Sequence, residues 1–399
     1  MRVLLFVLCA CVVSVASTAW AAEPAPYMLR LADRAEAWRA ELPALRASAD
    51  EAAKHVLAGG RLLAAGPQKS FPAEACGRSG GLMLTRGYDP RAALAADDTV
   101  LAAVNGFETD DDLAKLDDLL AAADAAGARV VLFGPVDRAR VGGHACVRFA
   151  ASKPFGDSTT PADQMSIASL SNIIGLWAWT GQFIAACVDA GKMPCVYESM
   201  SMPGGKERIE ALRGQTFHPT THVKPAPAAR LAGQYLDTIR DRLKQCWIMN
   251  QNAFTQAGKL IDEARQAGRP ICMRGQAHMI PLEMQNPQSP AWIASMWRYG
   301  KNDKPLEPDS LVIELDYQAF PWQAWMGESK QMFGWILTCS HQPPAEFDAP
   351  NHVYIDPCWA IMDAAVTLPG YDARMLPISG VMQSAIYWQL VQNAGQRFR

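Results

Sequence analysis

The segments AAKHVLAGGRLLAAGPQKSFPAEACGRSGG (residues 52–81) and AGKLIDEARQAGRPICMRGQAHMIPLEM (257–284) follow one plan. Each reads as a helix ended by glycine (Gly59-Gly60 or Gly268), a short apolar strand, and a turn opened by Gly66 or Gly275. Glu74 lies eight residues after Gly66, and Glu283 lies eight after Gly275. The segments that follow, 98–135 and 309–341, repeat an acidic-led strand, a polar turn, a helix and a further strand. Strands alternating with helices of this length predict right-handed crossovers and parallel sheets covered on both faces. A chain built twice on that plan is expected to be α/β with two tandem units. FHPTTHVKPAPAARLAG (217–233) carries three prolines and little periodicity, which makes it the expected linker.

The chain opens MRVLLFVLCACVVSVASTAWAAEP, a charged start, an apolar run and a small-x-small site at Ala19-Trp20-Ala21. This pattern is that of a secretory signal. The expected division is therefore a signal peptide at 1–22, a first domain at 23–216, the linker at 217–233 and a second domain at 234–399. It carries an expectation of export, periplasmic or secreted, with no membrane attachment once the signal is cleaved. An uncleaved anchor is the alternative.

Half the residues are hydrophobic, 19% are charged and the net charge is −3. No basic excess points to nucleic acid and no polybasic cluster points to a membrane surface. The cysteines beyond the signal are irregularly spaced, with no C-x-x-C. The uncharged stretch 167–188 carries Ser169, Ser171, Asn172, Thr180 and Gln182, which suits a buried helix better than a lipid-facing one. His218 and His222 would share a helix face, but FHPTTH is not helical, so no metal is expected. No cofactor is expected either.

Several of these segments together resemble the sugar isomerase (SIS) domain family, above all its phosphosugar-binding members. The matching features are Gly66…Glu74…RSGG (78–81), DTVLAAVNG (98–106) and GKMPCVYESMSMPGG (191–205). A further match runs through Ile355-Asp356, Met362-Asp363-Ala364 and Leu376-Pro377-Ile378-Ser379. The resemblance covers nearly all of 32–397 as two copies. It implies two tandem three-layer α/β/α SIS domains, each with a five-stranded parallel flavodoxin-like sheet. It also implies a sugar phosphate or sugar derivative bound between the domains. Because such domains work in pairs, further pairing of two chains into a homodimer stays open.

The chain departs from the family's phosphate turns. The first turn of repeat 1 has Gln68 in place of the middle glycine, with Pro67 beside it, and its second has Val104 for a serine. Repeat 2 has Met279 for a serine, and its second turn, Glu314-Leu315-Asp316-Tyr317, puts two carboxylates where a dianion would sit. Charge repulsion of roughly 4 kcal/mol follows at close range.

Aldose–ketose isomerisation needs a carboxylate base and an acid, and the resemblance offers Glu74, Glu283 and His278 as catalytic candidates. The substrate-binding candidates are Gly66, Lys69, Ser70, Asn105, Gly106, Thr109, Ser166, Gly275, Glu314, Asp316 and Ser379. Each has a plainer alternative: surface ion pairing for the glutamates, turn conformation for the glycines, and helix capping for Ser379. Three functions stay open. One is a sugar-binding protein with degenerate catalytic motifs, one an active aldose–ketose (phospho)sugar isomerase, and one a non-catalytic scaffold.

Overall fold

A computed structural model describes residues 25–136, 141, 143–152, 160–200, 202–227, 229–275, 279–285, 288–293, 295–297, 306–317, 322–359 and 364–394. The proposed signal, His278 and the Met362-Asp363 pair lie outside the described residues.

Two helices open the described chain, α1 (Tyr27–Ala40) and α2 (Leu42–Leu57). The first half continues with β1 (Leu62–Ala65), α3 (Ser70–Ala75), β2 (Arg86–Gly87), β3 (Thr99–Ala103), α4 (Asp110–Ala126), β4 (Arg129–Phe133), β5 (Cys146–Arg148), α5 (Pro161–Asp189) and α6 (Gly205–Leu212). The second half runs α7 (Arg230–Gln266), β6 (Ile271–Arg274), α8 (Ile280–Glu283), β7 (Ser295–Trp297), β8 (Leu311–Leu315), α9 (Trp322–Glu328), β9 (Gly334–Thr338) and β10 (His352–Tyr354). A two-stranded antiparallel ribbon, β11 (Ala364–Val366) and β12 (Met375–Pro377), leads into α10 (Ser379–Asn393). Helix α7 begins inside the stretch read as linker.

Each half builds a five-stranded sheet, one ordered β2-β1-β3-β4-β5 and the other β10-β9-β8-β6-β7. All pairings within them are parallel. Numbered within its half, each sheet has the order 2-1-3-4-5, which is flavodoxin-like. The α/β class and sheet type expected from the sequence are therefore the ones observed.

Strand alternation explains the layers, since successive side chains point to opposite faces. In the first sheet Leu62, Ala64, Leu101, Ala103, Val131 and Phe133 face one core. Their neighbours Leu63, Val100, Ala102, Val130 and Leu132 face another, covered by Leu116, Leu119 and Leu120 of α4. The second sheet sends Ile271, Met273, Ile313 and Ile336 to the first of these cores. It sends Val312, Trp335 and Leu337 to an outer cluster under Trp325 and Phe347. One continuous core, filled by residues of α1, α2, α5, α7 and α10, thus lies between the two sheets.

The inner position of α5 accounts for its composition. Its residues are buried on every side, and its polar groups find partners inside. Ser171 Oγ accepts the Trp38 indole N–H at 3.0 Å, and the Thr180 hydroxyl donates to the Leu176 carbonyl at 2.8 Å. Among the described residues, no helix is long and apolar enough to cross a membrane.

Candidate functional site

In a sheet of order 2-1-3-4-5, ligands bind beyond the carboxyl ends of the strands, where the strand order switches between the first and third. In the first half this point is filled by the turns after β1 and β3. A pocket of about 210 Å³ opens there, small against typical ligand sites. Pro67, Gln68, Lys69 and Ser70 come from the first turn, and Asn105, Phe107, Glu108 and Thr109 from the second. Ser169 of α5 lies behind them. Leu282 and Glu283 of α8, together with Gln285, close it from the second half.

The floor is a hydrogen-bonded network of neutral groups. Gln68 Nε2 donates to Ser70 Oγ and to the Ser169 carbonyl, both at 3.0 Å. Asn172 Nδ2 donates to Gln68 Oε1 at 2.8 Å and to the Val104 carbonyl at 2.7 Å. Asn105 Nδ2 reaches Ser169 Oγ at 3.3 Å. Gln68, which replaces the expected glycine, is thus the hub of the turn. Lys69 is exposed at the rim.

Glu283 is the chemically unusual member. It is only 3% exposed, and its Oε2 has no hydrogen-bond partner. Burial pushes its carboxyl up to about 7, opposed by the neighbouring Ser70 hydroxyl and Trp388 indole. Two buried tyrosines, Tyr27 and Tyr387, carry raised pKa values, chiefly through burial, with a contribution from the Glu283 charge. A carboxyl that titrates near neutrality can both take and give a proton.

The turn after β3 is occupied by the chain itself. Glu108 accepts the Gly106 N–H on Oε2 at 2.9 Å and the Asn105 N–H on Oε1. Burial raises the Glu108 carboxyl, against the opposing pull of these N–H donors. Thr109 caps α4: its Oγ1 accepts the Asp112 N–H at 3.2 Å, and Asp112 reaches back to the Thr109 N–H, a capping box.

Of the candidates named from sequence, the structure brings Lys69, Ser70, Asn105, Thr109 and Glu283 around one pocket. The other described candidates are not among the residues that line it. Glu74 is fully buried and salt-bridged to Arg78 Nε at 3.1 Å. Arg78 Nη2 also donates to Ser379 Oγ. A Cβ on Gly380 would stand 2.5 Å from Glu74 Oε1, so the start of α10 seals this carboxylate from above. Ser379 is the first residue of α10 and no side chain caps that helix, so the expected capping role gives way to the bond from Arg78.

Gly66 and Gly275 serve the packing of strand ends. A Cβ on Gly66 would come within 2.6 Å of the Ala103 backbone, and one on Gly275 within 2.1 Å of the Leu315 carbonyl. The Gly106 N–H is held by Glu108. Ser166 donates to the Asp163 carbonyl at 3.0 Å and lies beside Tyr27 in the interior.

The two carboxylates of repeat 2 do not form an open sugar-binding pair. Glu314 is fully buried, accepts from Arg274 at 3.2 and 3.0 Å, and takes the Trp335 indole N–H at 3.0 Å. Asp316, 3% exposed, accepts the Tyr317 N–H at 2.7 Å. His218 lies 3.0 Å from the Tyr371 hydroxyl, and among the described residues no group of three metal-ligating side chains converges.

Sequence reasoning missed Gln68, Ser169, Asn172 and Glu108 as site residues. The polar residues scattered through 167–188 were a usable signal, because a buried helix spends such groups only on a partner. Glu108, two residues past Asn105-Gly106 and just ahead of a helix, was another.

No protein-family model matches the chain, and no curated protein matches it. Solved structures similar to it include the C-terminal domain of glucosamine-fructose-6-phosphate aminotransferase from Francisella tularensis. That likeness has 9% identity and TM-score 0.48, over 94% of this chain and 98% of that one. A protein of Salmonella typhimurium LT2 described as sugar binding is similar at 12% identity and TM-score 0.46, over 91% and 99%. One of Silicibacter pomeroyi DSS-3 described as a phosphosugar isomerase is similar at 12% and 0.43, over 93% and 98%. At these identities and TM-scores the likeness decides nothing about activity. The fold rests on the strand order and register.

Proposed function

We propose that this chain binds a sugar or sugar derivative in the pocket between its two halves. One observation carries the reading. The pocket stands at the topological switch point of the first sheet, is floored by amide and hydroxyl groups, and is closed by Leu282 and Glu283 from the other half. Neutral donors and acceptors in a fixed network suit the hydroxyls of a polyol, and Phe107 adds a partly apolar wall. The resemblance of the motifs to sugar isomerase domains supports the same ligand class. Fold alone would not, because one fold hosts many functions. The signal-like start makes the protein an exported one in this reading.

A second reading, aldose–ketose isomerisation, is favoured by Glu283. A buried carboxyl pushed up to about 7 is matched to moving a proton between adjacent carbons through an enediol. Glu74 does not compete for this role, being salt-bridged beneath α10.

Titration calorimetry of the full chain with a panel of sugars tests the binding. Leu282→Trp, which adds bulk at the wall supplied by the second half, should abolish the heat while the circular dichroism stays unchanged. Binding that survives Leu282→Trp undiminished places the ligand elsewhere. Proton transfer is read separately. Solvent deuterium should enter C1 or C2 of a bound aldose with the wild type and not with Glu283→Gln. A bound sugar that takes up no deuterium leaves binding alone.

A further inference from the structure

We propose that Glu108 is an internal stand-in for phosphate, and that by filling the anion-binding turn after β3 it makes the pocket select unphosphorylated sugars. This rests on the sugar-binding reading and names the ligand class of that same site.

Consecutive backbone N–H groups at a strand end, ahead of a helix N-terminus, form a concave donor set that suits an anion. Here the Asn105 and Gly106 N–H groups point at one carboxylate, each taking a different oxygen of Glu108. That is the bidentate geometry two phosphate oxygens would adopt. The remaining donors of the turn are also used. The Thr109 N–H faces Asp112 Oδ2 at 3.4 Å, and its hydroxyl donates to the same oxygen at 2.9 Å.

The charge around the pocket acts in the same direction. Glu108, Asp112 and Glu283 line it against one cation, Lys69. Asp110 and Asp111 stand beside Asp112 in the first turn of α4. A phosphate dianion would have to displace Glu108 and then sit among its neighbours' charge. The opposite wall carries the buried Glu283 carboxyl beside Ser70 and Trp388, and so adds no cation to the pocket.

Titration of the full chain with inorganic phosphate tests the assignment without any sugar. Wild-type protein should give no saturable heat at millimolar phosphate. Glu108→Gly, which frees both amides, should gain phosphate affinity by at least about tenfold, the scale of one hydrogen bond to a charged group. Glu108→Gln keeps the side chain's size and one acceptor oxygen and should gain less. It decides the matter if the glycine variant does not fold. Wild-type protein that binds phosphate as tightly as the variants overturns the proposal, and so do folded variants that remain blind to phosphate. The outcome is separable from the sugar reading. A gain of phosphate binding with no response to any sugar would remove that reading and leave Glu108 as the occupant of the turn. Sugar binding alongside blind variants would remove this inference alone.

Discussion

Glu283 concentrates the chemistry of the site at a single residue. Its folded-state carboxyl lies at about 7 against an ordinary value of 4.5, and burial is the cause. A raised acid pKa means that the folded state holds its proton where the unfolded chain has lost it. The stabilisation is therefore fully present below about pH 4.5 and is lost as pH rises through about 7. The span corresponds to about 3 kcal/mol at most. Glu283→Gln keeps the shape and carries no titrating group. Urea melts of this variant should show a smaller fall in stability between pH 4.5 and 7 than the wild type shows. Equal slopes in both proteins would place the titrating group elsewhere. The matched spacing from Gly66 and Gly275 marked Glu74 and Glu283 as a pair. It could not tell which lines a pocket, because that depends on Gly380 and Arg78 at one site and on the turn residues of the other half at the other.

At the scale of elements, the two acidic leads of the repeat share a structural job. Asp98 accepts the Arg61 backbone N–H at 3.0 Å, the Arg61 Nε at 3.0 Å and the Ala95 N–H at 2.8 Å, tying the start of β3 to that of β1. Asp309 meets Arg269 Nε at 3.0 Å ahead of β8 and β6. Hydrogen bonds from Arg61 hold the Asp98 carboxyl down at about 2, below its ordinary 3.8. Its contribution is present above about pH 4 and lost as pH falls through about 2. Asp98→Asn should cost about 1–2 kcal/mol at pH 7, and thermal melts should show the gap to wild type closing toward pH 2. A constant gap across that range would mean the charge is not what holds the strands.

Elements of this kind were readable in the sequence, because glycine stops, apolar runs and spacing are local signals. The partners of Glu314 and Ser379 were not. Arg274 and Arg78 approach them only after the chain has folded, from 40 and 301 residues away.

For the whole molecule, the decisive feature is the single core between the sheets, which residues of both halves fill. The repeated segment plan led to the expectation of an α/β chain with two sheets, and two five-stranded parallel sheets share this core. The same packing sets α8 of the second half over the strand ends of the first and so makes one pocket from both. The most direct test of this account is thermal unfolding of the full chain against matched unphosphorylated and phosphorylated sugars. A ligand at a hundred times its Kd stabilises by about 2.7 kcal/mol, enough to raise Tm by a few degrees in a protein of this size. The account predicts that unphosphorylated sugars raise Tm, that their phosphate esters do not, and that Leu282→Trp loses the response. A rise with the phosphate esters alone, or no rise with either panel, would contradict it.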